Sequence, residues 1–352
     1  MPNSPKNIVK EYLKHLKAPP KPAGSFNPLK AKPDELIKYG YPRKPPKENK
    51  AAREIWKAIV TGKRFDLSKG RAAEPLNITP SADYQLNYVA QNFPGADETS
   101  ENWSGAVTRA TGTQVFTSIF ASFQIPRDVL PPYAMRRGTY RSSAWIGLDG
   151  HDPTSPSMPQ VGVTLKVDVL PGVVHTSFEP WFQWWSRQAI NPPLIIDNFQ
   201  INAGDNIACS IDVVSDTIVN VAVQNSSING SPTALIPVLG GVPGYNGSIW
   251  HWASVAGRTA EWIVERPTRI KNPKQRYTMP LFSKVTFTAA TVTDTSEHDP
   301  GPLRKIRMVN PVAASGGAPG RLVVLSRARK YYGPHHKVLI DAGPRLAQYL
   351  MG

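Results

Sequence analysis

From about residue 102 onward the chain predicts an all-β antiparallel sandwich, preceded by a basic, partly helical N-terminal extension. Three observations carry this. Short segments alternate apolar and polar residues with period two, one after another, and no helical segment intervenes. The 35 prolines and 26 glycines in 352 residues supply many turns and oppose an all-helical fold. Asn229-Gly230 and Asn246-Gly247 read as tight hairpin turns.

In order, Ser4 can cap a helix with Pro5 in its first position, and Ile8, Val9, Tyr12, Leu13 and Leu16 then form one apolar stripe. A Lys/Pro/Ala-rich linker runs to Pro33, which opens a short helix ended by Gly40. Tyr39 to Pro46 is proline-stiffened and extended. From Glu48, the spacing of Ala52, Ile55, Trp56, Ile59 and Val60 predicts a second amphipathic helix closed by Gly62. Helices this short need a surface to pack on, which the β part would supply. Residues 65–95 read as irregular.

The strands follow. Val115, Thr117, Ile119, Ala121, Phe123 and Ile125 share one face of a run ended by Pro126. Segments 141–148, 160–169, 178–185, 206–214, 218–224, 249–255, 260–265 and 284–290 follow, with two more around 306–309 and 321–326. The expected organisation is an extension over 1–95, a β-sandwich over 96–328 and a basic tail over 329–352.

Charge follows this division. The formal net charge is +15; residues 1–75 hold 18 Lys+Arg against 7 Asp+Glu, or +11, leaving +4 for the rest. Such a basic segment suits a plain appendage or nucleic-acid binding. No apolar run approaches the roughly eighteen residues a membrane-spanning helix needs. The N-terminus lacks the apolar stretch of a secretory signal, and the compartment stays undetermined. Cys209 is the single cysteine, placed in the apolar alternation Ile207, Cys209, Ile211, which reads as core. Asn77, Asn102, Asn225, Asn229 and Asn246 begin N-x-S/T triplets of the kind a Ser/Thr-rich β chain produces by chance.

Two strands offer polar side chains suited to chemistry. In Ala260–Glu265, Glu261, Ile263 and Glu265 share one side and Trp262 and Val264 the other. In Gln160–Val169, Val161, Val163, Leu165, Val167 and Val169 form an apolar face, and Gln160, Gly162, Thr164, Lys166 and Asp168 an apparently open polar one. The bland reading of both is a solvated sheet surface.

Four ordered motifs give these residues a context: ENWSGAV (101–107), SAWIGLDG (143–150), PQVGV (159–163) and AEWIVE (260–265). Together they resemble the glutamic peptidases, the eqolisin family, over roughly residues 95–310. Trp181 to Trp185, Gly204-Asp205 and Lys284 to Ala290 are weaker matches. The resemblance implies a concanavalin A-like sandwich of two curved sheets, with the active cleft on the concave one. It implies a peptide hydrolase without metal or cofactor, acting on polypeptide substrates. Glu265 would be the base and then the acid, and Gln160 would donate to the oxyanion and help hold the water. Trp145 would line the cleft and Asp149 support the catalytic groups; Trp103 belongs to the first motif. Gly147 and Gly150 read as turn residues. It further implies that a basic leader covers the domain before activation.

Two departures stand out. The family carries acidic residues where this chain has Thr164 and Gln183. Fewer neighbouring carboxylates would let Glu265 ionise more readily. Either the pH profile differs from the family's acid optimum, or the chain is a degenerate enzyme that only binds.

Alternative chemistries are poorly supplied. His151, His175, His251 and His298 show no metal-ligand spacing, and His335-His336, adjacent on a strand, would face opposite ways. No G-x-S-x-G elbow is present. Trp181, Trp184 and Trp185 could stack on sugars, but Glu261 and Glu265, about 13 Å apart on one strand, are too far apart for a retaining glycosidase. The competing function is therefore a non-catalytic peptide- or carbohydrate-binding sandwich, with nucleic-acid binding by the basic arm as a third possibility.

Overall fold

The computed structural model describes residues 18–63, 77–86, 90–91, 98–132, 137–152, 154–187, 192–228, 231–243, 250–294, 303–312, 321–331 and 337–341. The helix expected after Ser4, both Asn-Gly turns, His298 and His335-His336 lie outside them.

Two antiparallel sheets face each other. The front sheet runs Ile78–Pro80, Leu194–Ile196, Val173–Ser186, Ser157–Leu170, Gly138–Leu148, Thr259–Glu265, Trp103–Arg109, Arg304–Val312. The back sheet runs Ala234–Leu239, Ile218–Asn225, Asn206–Ser215, Phe116–Gln124, Val285–Asp294, Lys337–Asp341, Arg321–Tyr331. The strand Arg321–Tyr331 also pairs with Arg304–Val312, tying the sheets together along one edge. Apolar side chains fill the space between them, among them Val161, Val163, Leu165, Phe182, Trp184, Trp262, Val264, Ile207, Cys209 and Phe287. The alternation had assigned Cys209, Trp262 and the valine face to this core.

Short or late strands escaped the sequence pattern. Ile78–Pro80 and Tyr84–Gln85 fall in the segment expected to be irregular. Runs of two or three residues have no readable periodicity, and their partners lie far along the chain. Lys337–Asp341, expected within the basic tail, pairs with both Val285–Phe287 and Arg327–Tyr331.

Helix α1 (Pro33–Lys38) and helix α2 (Lys50–Thr61) form where expected. The Asn49 side chain caps α2 by accepting the Ala52 N–H at 3.0 Å. Both helices pack on the outer face of the back sheet. Leu36, Tyr41, Ala52, Trp56, Ile59 and Val60 cover Phe120, Ala208, Ala222, Leu235 and Ala289. The connecting stretch is anchored as well. Arg43 donates its backbone N–H to Asp212 (2.8 Å) and its guanidinium to the Val213 carbonyl (2.9 Å), and Trp56 Nε1 donates to the Pro42 carbonyl (2.8 Å). Residues 18–63 thus wrap the face opposite to Gln160 and Glu265.

Trp56 is 2% exposed and plugs this interface. Trp56→Ala is expected to lower stability by about 3–5 kcal/mol, measured by chemical denaturation.

Candidate active site

Cross-strand register places the side chains of the front sheet's outer face in rows. Glu265 lies opposite Trp103 on one side and Ser143 on the other, and Ser143 lies opposite Thr164, itself opposite Glu179. The next row is Ile263, Trp145, Gly162, Trp181, and the one after it Glu261, Gly147, Gln160, Gln183. Gln160 and Glu265 therefore share one face of one sheet. They are not on neighbouring strands: Gly138–Leu148 runs between them, and they are offset by four residues.

Trp145 occupies that interval. Its Nε1 donates to Glu265 Oε2 at 3.0 Å, while the far edge of the indole packs over Gly147, next to Gln160. A Cβ on Gly147 would lie 2.9 Å from Trp145 Cζ3, and one on Gly162 2.5 Å from Trp145 Cβ. Gly147 is thus a mid-strand position kept bare for an indole, and not the turn residue the sequence suggested. Trp103 packs edge-on against Trp145, ring centroids 4.9 Å apart.

Asn102, which the sequence reading had treated only as a triplet asparagine, donates Nδ2 to Glu265 Oε1 at 3.3 Å. Its place one residue before Trp103 in the ENWSGAV motif was the available signal. At the other end, Gln160 Nε2 donates to Gln183 Oε1 at 2.6 Å, and Gln160 Oε1 has no hydrogen-bond partner among the described residues. Thr164 and Ser143 share a hydrogen bond of 2.7 Å between their hydroxyls.

Asp149 is placed elsewhere. Held at φ 72°, its carboxylate accepts the N–H groups of Ala256 (2.5 Å), Gly257 (2.9 Å) and Arg258 (2.6 Å). It braces the loop that enters the Glu265 strand, and does not touch Gln160 or Glu265. Burial raises its pKa, opposed by these N–H groups.

Glu261 faces the Gln160 row across Gly147. It is fully buried, with Oε1 accepting the His151 N–H at 3.0 Å. Burial pushes its carboxyl up to about 8; the charge of Asp149 adds to this, and the Thr259 hydroxyl and the His151 and Gly150 N–H groups oppose it. At neutral pH this carboxyl is a neutral hydrogen-bonding group.

The polar face is not open to solvent. Gln160, Thr164, Glu261 and Glu265 are all 0% exposed. Tyr84 and Leu86 pack with Trp103, Trp145, Trp181, Ile263, Tyr277 and Ile306 in an apolar cluster on this face. Alternation could not disclose this cover, because it comes from a segment distant in sequence. Trp184 points into the inter-sheet core with Nε1 on Ser157 Oγ (3.1 Å), so 181–185 is no three-tryptophan platform for sugars. Among the described residues no cluster of metal-ligating side chains occurs, and no helix is long and apolar enough to cross a membrane. Asn102 and Asn225 are buried, in line with chance triplets.

A model of the peptidase A4 family matches residues 101–319. The structure is similar to that of scytalido-glutamic peptidase with a transition-state analogue inhibitor (18% identity, TM-score 0.48, 69% of this chain and 98% of that one). It is also similar to SCP-B, an eqolisin-family peptidase solved with the tripeptide Ala-Ile-His (18% identity, TM-score 0.43, 69% and 98%). A third is aspergilloglutamic peptidase from Aspergillus niger (22% identity, TM-score 0.39, 58% and 99%). No curated protein matches the chain by sequence.

Glu261 yields a prediction. A carboxyl whose pKa is raised on folding contributes stability that is complete below its unfolded value, near 4.3, and is lost as pH rises through about 8. Glu261→Gln mimics the neutral acid. It is expected to leave the melting temperature near wild type at pH 5 and to raise it by several degrees at pH 8, in a pH series of thermal melts.

Proposed function

The chain belongs to the peptidase A4 family, the glutamic peptidases, and we propose that it is an endopeptidase hydrolysing peptide bonds with Glu265 and Gln160. The observation that carries this reading is their placement on one face of one sheet, at the two ends of the Trp145 indole, within the family match.

Their spacing is compatible with the chemistry. In a flat sheet, two strand spacings and four residues separate the α-carbons by about 16 Å. With each side chain reaching about 4 Å inward, a gap of about 8 Å remains. The sequence carboxylate, water, carbonyl carbon, carbonyl oxygen, amide spans about 8–10 Å. A gap of this size is too wide for one water to be held by both groups, the arrangement expected from the sequence; in this reading base and oxyanion donor straddle a peptide group instead. Glu265 takes a proton from water as the oxygen attacks the carbonyl carbon, and Gln160 Nε2 stabilises the oxyanion. Glu265 then returns the proton to the leaving amine as the C–N bond breaks.

The surroundings fit these roles. Trp145 and Asn102 donate to Glu265 and fix its orientation. Gln183 accepts from Gln160 as a carboxylate would, so its departure from the family pattern keeps the acceptor and removes only charge. Thr164, in Glu265's row, likewise removes a charge while keeping a hydrogen bond through Ser143.

The segment Ser81–Leu86 lies where a substrate must go, and acts in this reading as a pro-segment: the unprocessed chain is inhibited by its own residues 81–86. The helical part of the extension, on the far side, has a structural role.

Casein digestion tests the dyad. Gln160→Ala and Glu265→Gln are each expected to remain folded and to lose at least a hundredfold in kcat/KM; full activity in either variant excludes the assignment. Thr164→Asp restores a negative charge beside Glu265 and is expected to move the acid limb of kcat/KM to higher pH, because a like charge raises a carboxyl pKa. An unchanged limb would mean that the two positions do not interact.

A further inference from the structure

We propose that the site selects polypeptides carrying an acidic residue followed by an aromatic one, taken up as an added strand, with Arg141 as the receptor of the acid. This rests on the peptidase reading and names the substrate class of the same site.

The argument starts from Arg141, which is 3% exposed and sits on the site's own face, one row beyond Ser143, Thr164 and Glu265. A buried guanidinium requires carboxylate partners. Half of its fork is satisfied within the domain: Nη1 donates to Asp168 Oδ1 at 2.7 Å and to the carbonyl of Tyr140 at 3.0 Å. The other half, Nε and Nη2, is given to Asp83 Oδ2 at 3.1 and 2.9 Å. Asp83 belongs to the covering segment. Burial opposes the charge on Arg141, but Asp168 and Asp83 more than offset this, and the group is held above its ordinary pKa. Removing the segment leaves an oriented fork open to the cleft, a ready receptor for another carboxylate.

The segment also binds as a strand. Tyr84 and Gln85 pair antiparallel with Arg269 and Thr268, the central strand of a three-stranded sheet completed by Asn272–Arg276. The Asp83 carbonyl accepts the Ile270 N–H at 3.2 Å and the Tyr277 hydroxyl at 2.9 Å. Main-chain pairing of this kind accepts any extended peptide, and side-chain pockets supply selectivity. The pocket following Arg141 is filled by Tyr84, 0% exposed and packed in the tryptophan cluster, with the Glu179 charge nearby. Glu179 is in turn engaged by Lys166 at 2.6 Å, so this pocket offers no free cation and favours an uncharged aromatic. The charges facing the acid position are Arg141, Asp168 and Arg269, the last stacked on Tyr277 at 4.2 Å from the ring centroid. With Asp83 gone their sum is positive.

The test uses the full chain carrying Asp83→Ala, Tyr84→Ala and Gln85→Pro, which empties both side-chain positions and breaks the backbone pairing to Thr268 and Arg269, with its fold checked by melting temperature. Two blocked hexapeptides serve as probes, one with the sequence of residues 81–86 and one with lysine replacing its aspartate. The aspartate peptide is expected to bind at least tenfold more tightly by calorimetry, and Arg141→Gln in the same background should erase the difference. Arg141→Lys, which keeps charge but loses the fork, should restore only part of it. Equal affinity for the two peptides, or a preference that survives Arg141→Gln, overturns the proposal, as does failure of the aspartate peptide to bind. Cleavage of a peptide library by the chain carrying the vacating substitutions, in which residues 81–86 no longer block the site, separates the two readings. Peptide binding with no turnover defeats the peptidase reading but not the receptor; turnover without enrichment of acidic-aromatic pairs defeats the receptor and leaves the peptidase.

Discussion

The close fit of one indole against a glycine-floored strand decides most of what this protein can do. Trp145 lies along the outer face of the front sheet because Gly147 and Gly162 carry no side chain there. A Cβ at either would run into the ring system, its Cβ or the Ala144 carbonyl. The ring in turn fixes Glu265 through Nε1 and sets the interval to Gln160. Close packing makes such an arrangement discrete: an added methyl cannot be absorbed by small shifts of a strand hydrogen-bonded on both sides.

A second constraint comes from the N-terminal extension, which divides its work between opposite faces of the sandwich. Residues 18–63 bury Trp56, Leu36 and Ile59 against the back sheet, as a domain buries its own core. Residues 81–86 lie on the front face, held by an ion pair, two backbone pairings and a tyrosine in an aromatic pocket. The first contact is mainly apolar. The second is made of groups that a peptide could supply, which is the physical difference between a structural clasp and a replaceable occupant.

Electrostatics around the site follow from what was removed. Gln183 and Thr164 keep the hydrogen bonds of their positions while carrying no charge, and buried Glu261 is neutral at physiological pH. The face thus holds Glu265 in surroundings poor in competing carboxylates. Arg141, paired with Asp168, lies at the far end.

The sequence alone determined most of the long strands, their two faces and the family. Period-two alternation is a local property: it placed Val161 to Val169 and Trp262 inward, and Gln160 and Glu265 together on the other side. Helix α2 was equally legible, since its stripe and its asparagine cap lie within one short window. Only the tertiary structure decided that Gln160 and Glu265 stand two strands apart with Trp145 between them, that Asp149 braces a loop, and that Asn102 grips the carboxylate. It also decided that the polar face is covered by Tyr84 and Leu86. Each of these is a register or a contact between residues far apart in the chain, fixed by which strands pair and how they align, and such pairing leaves no trace in the local pattern of either partner.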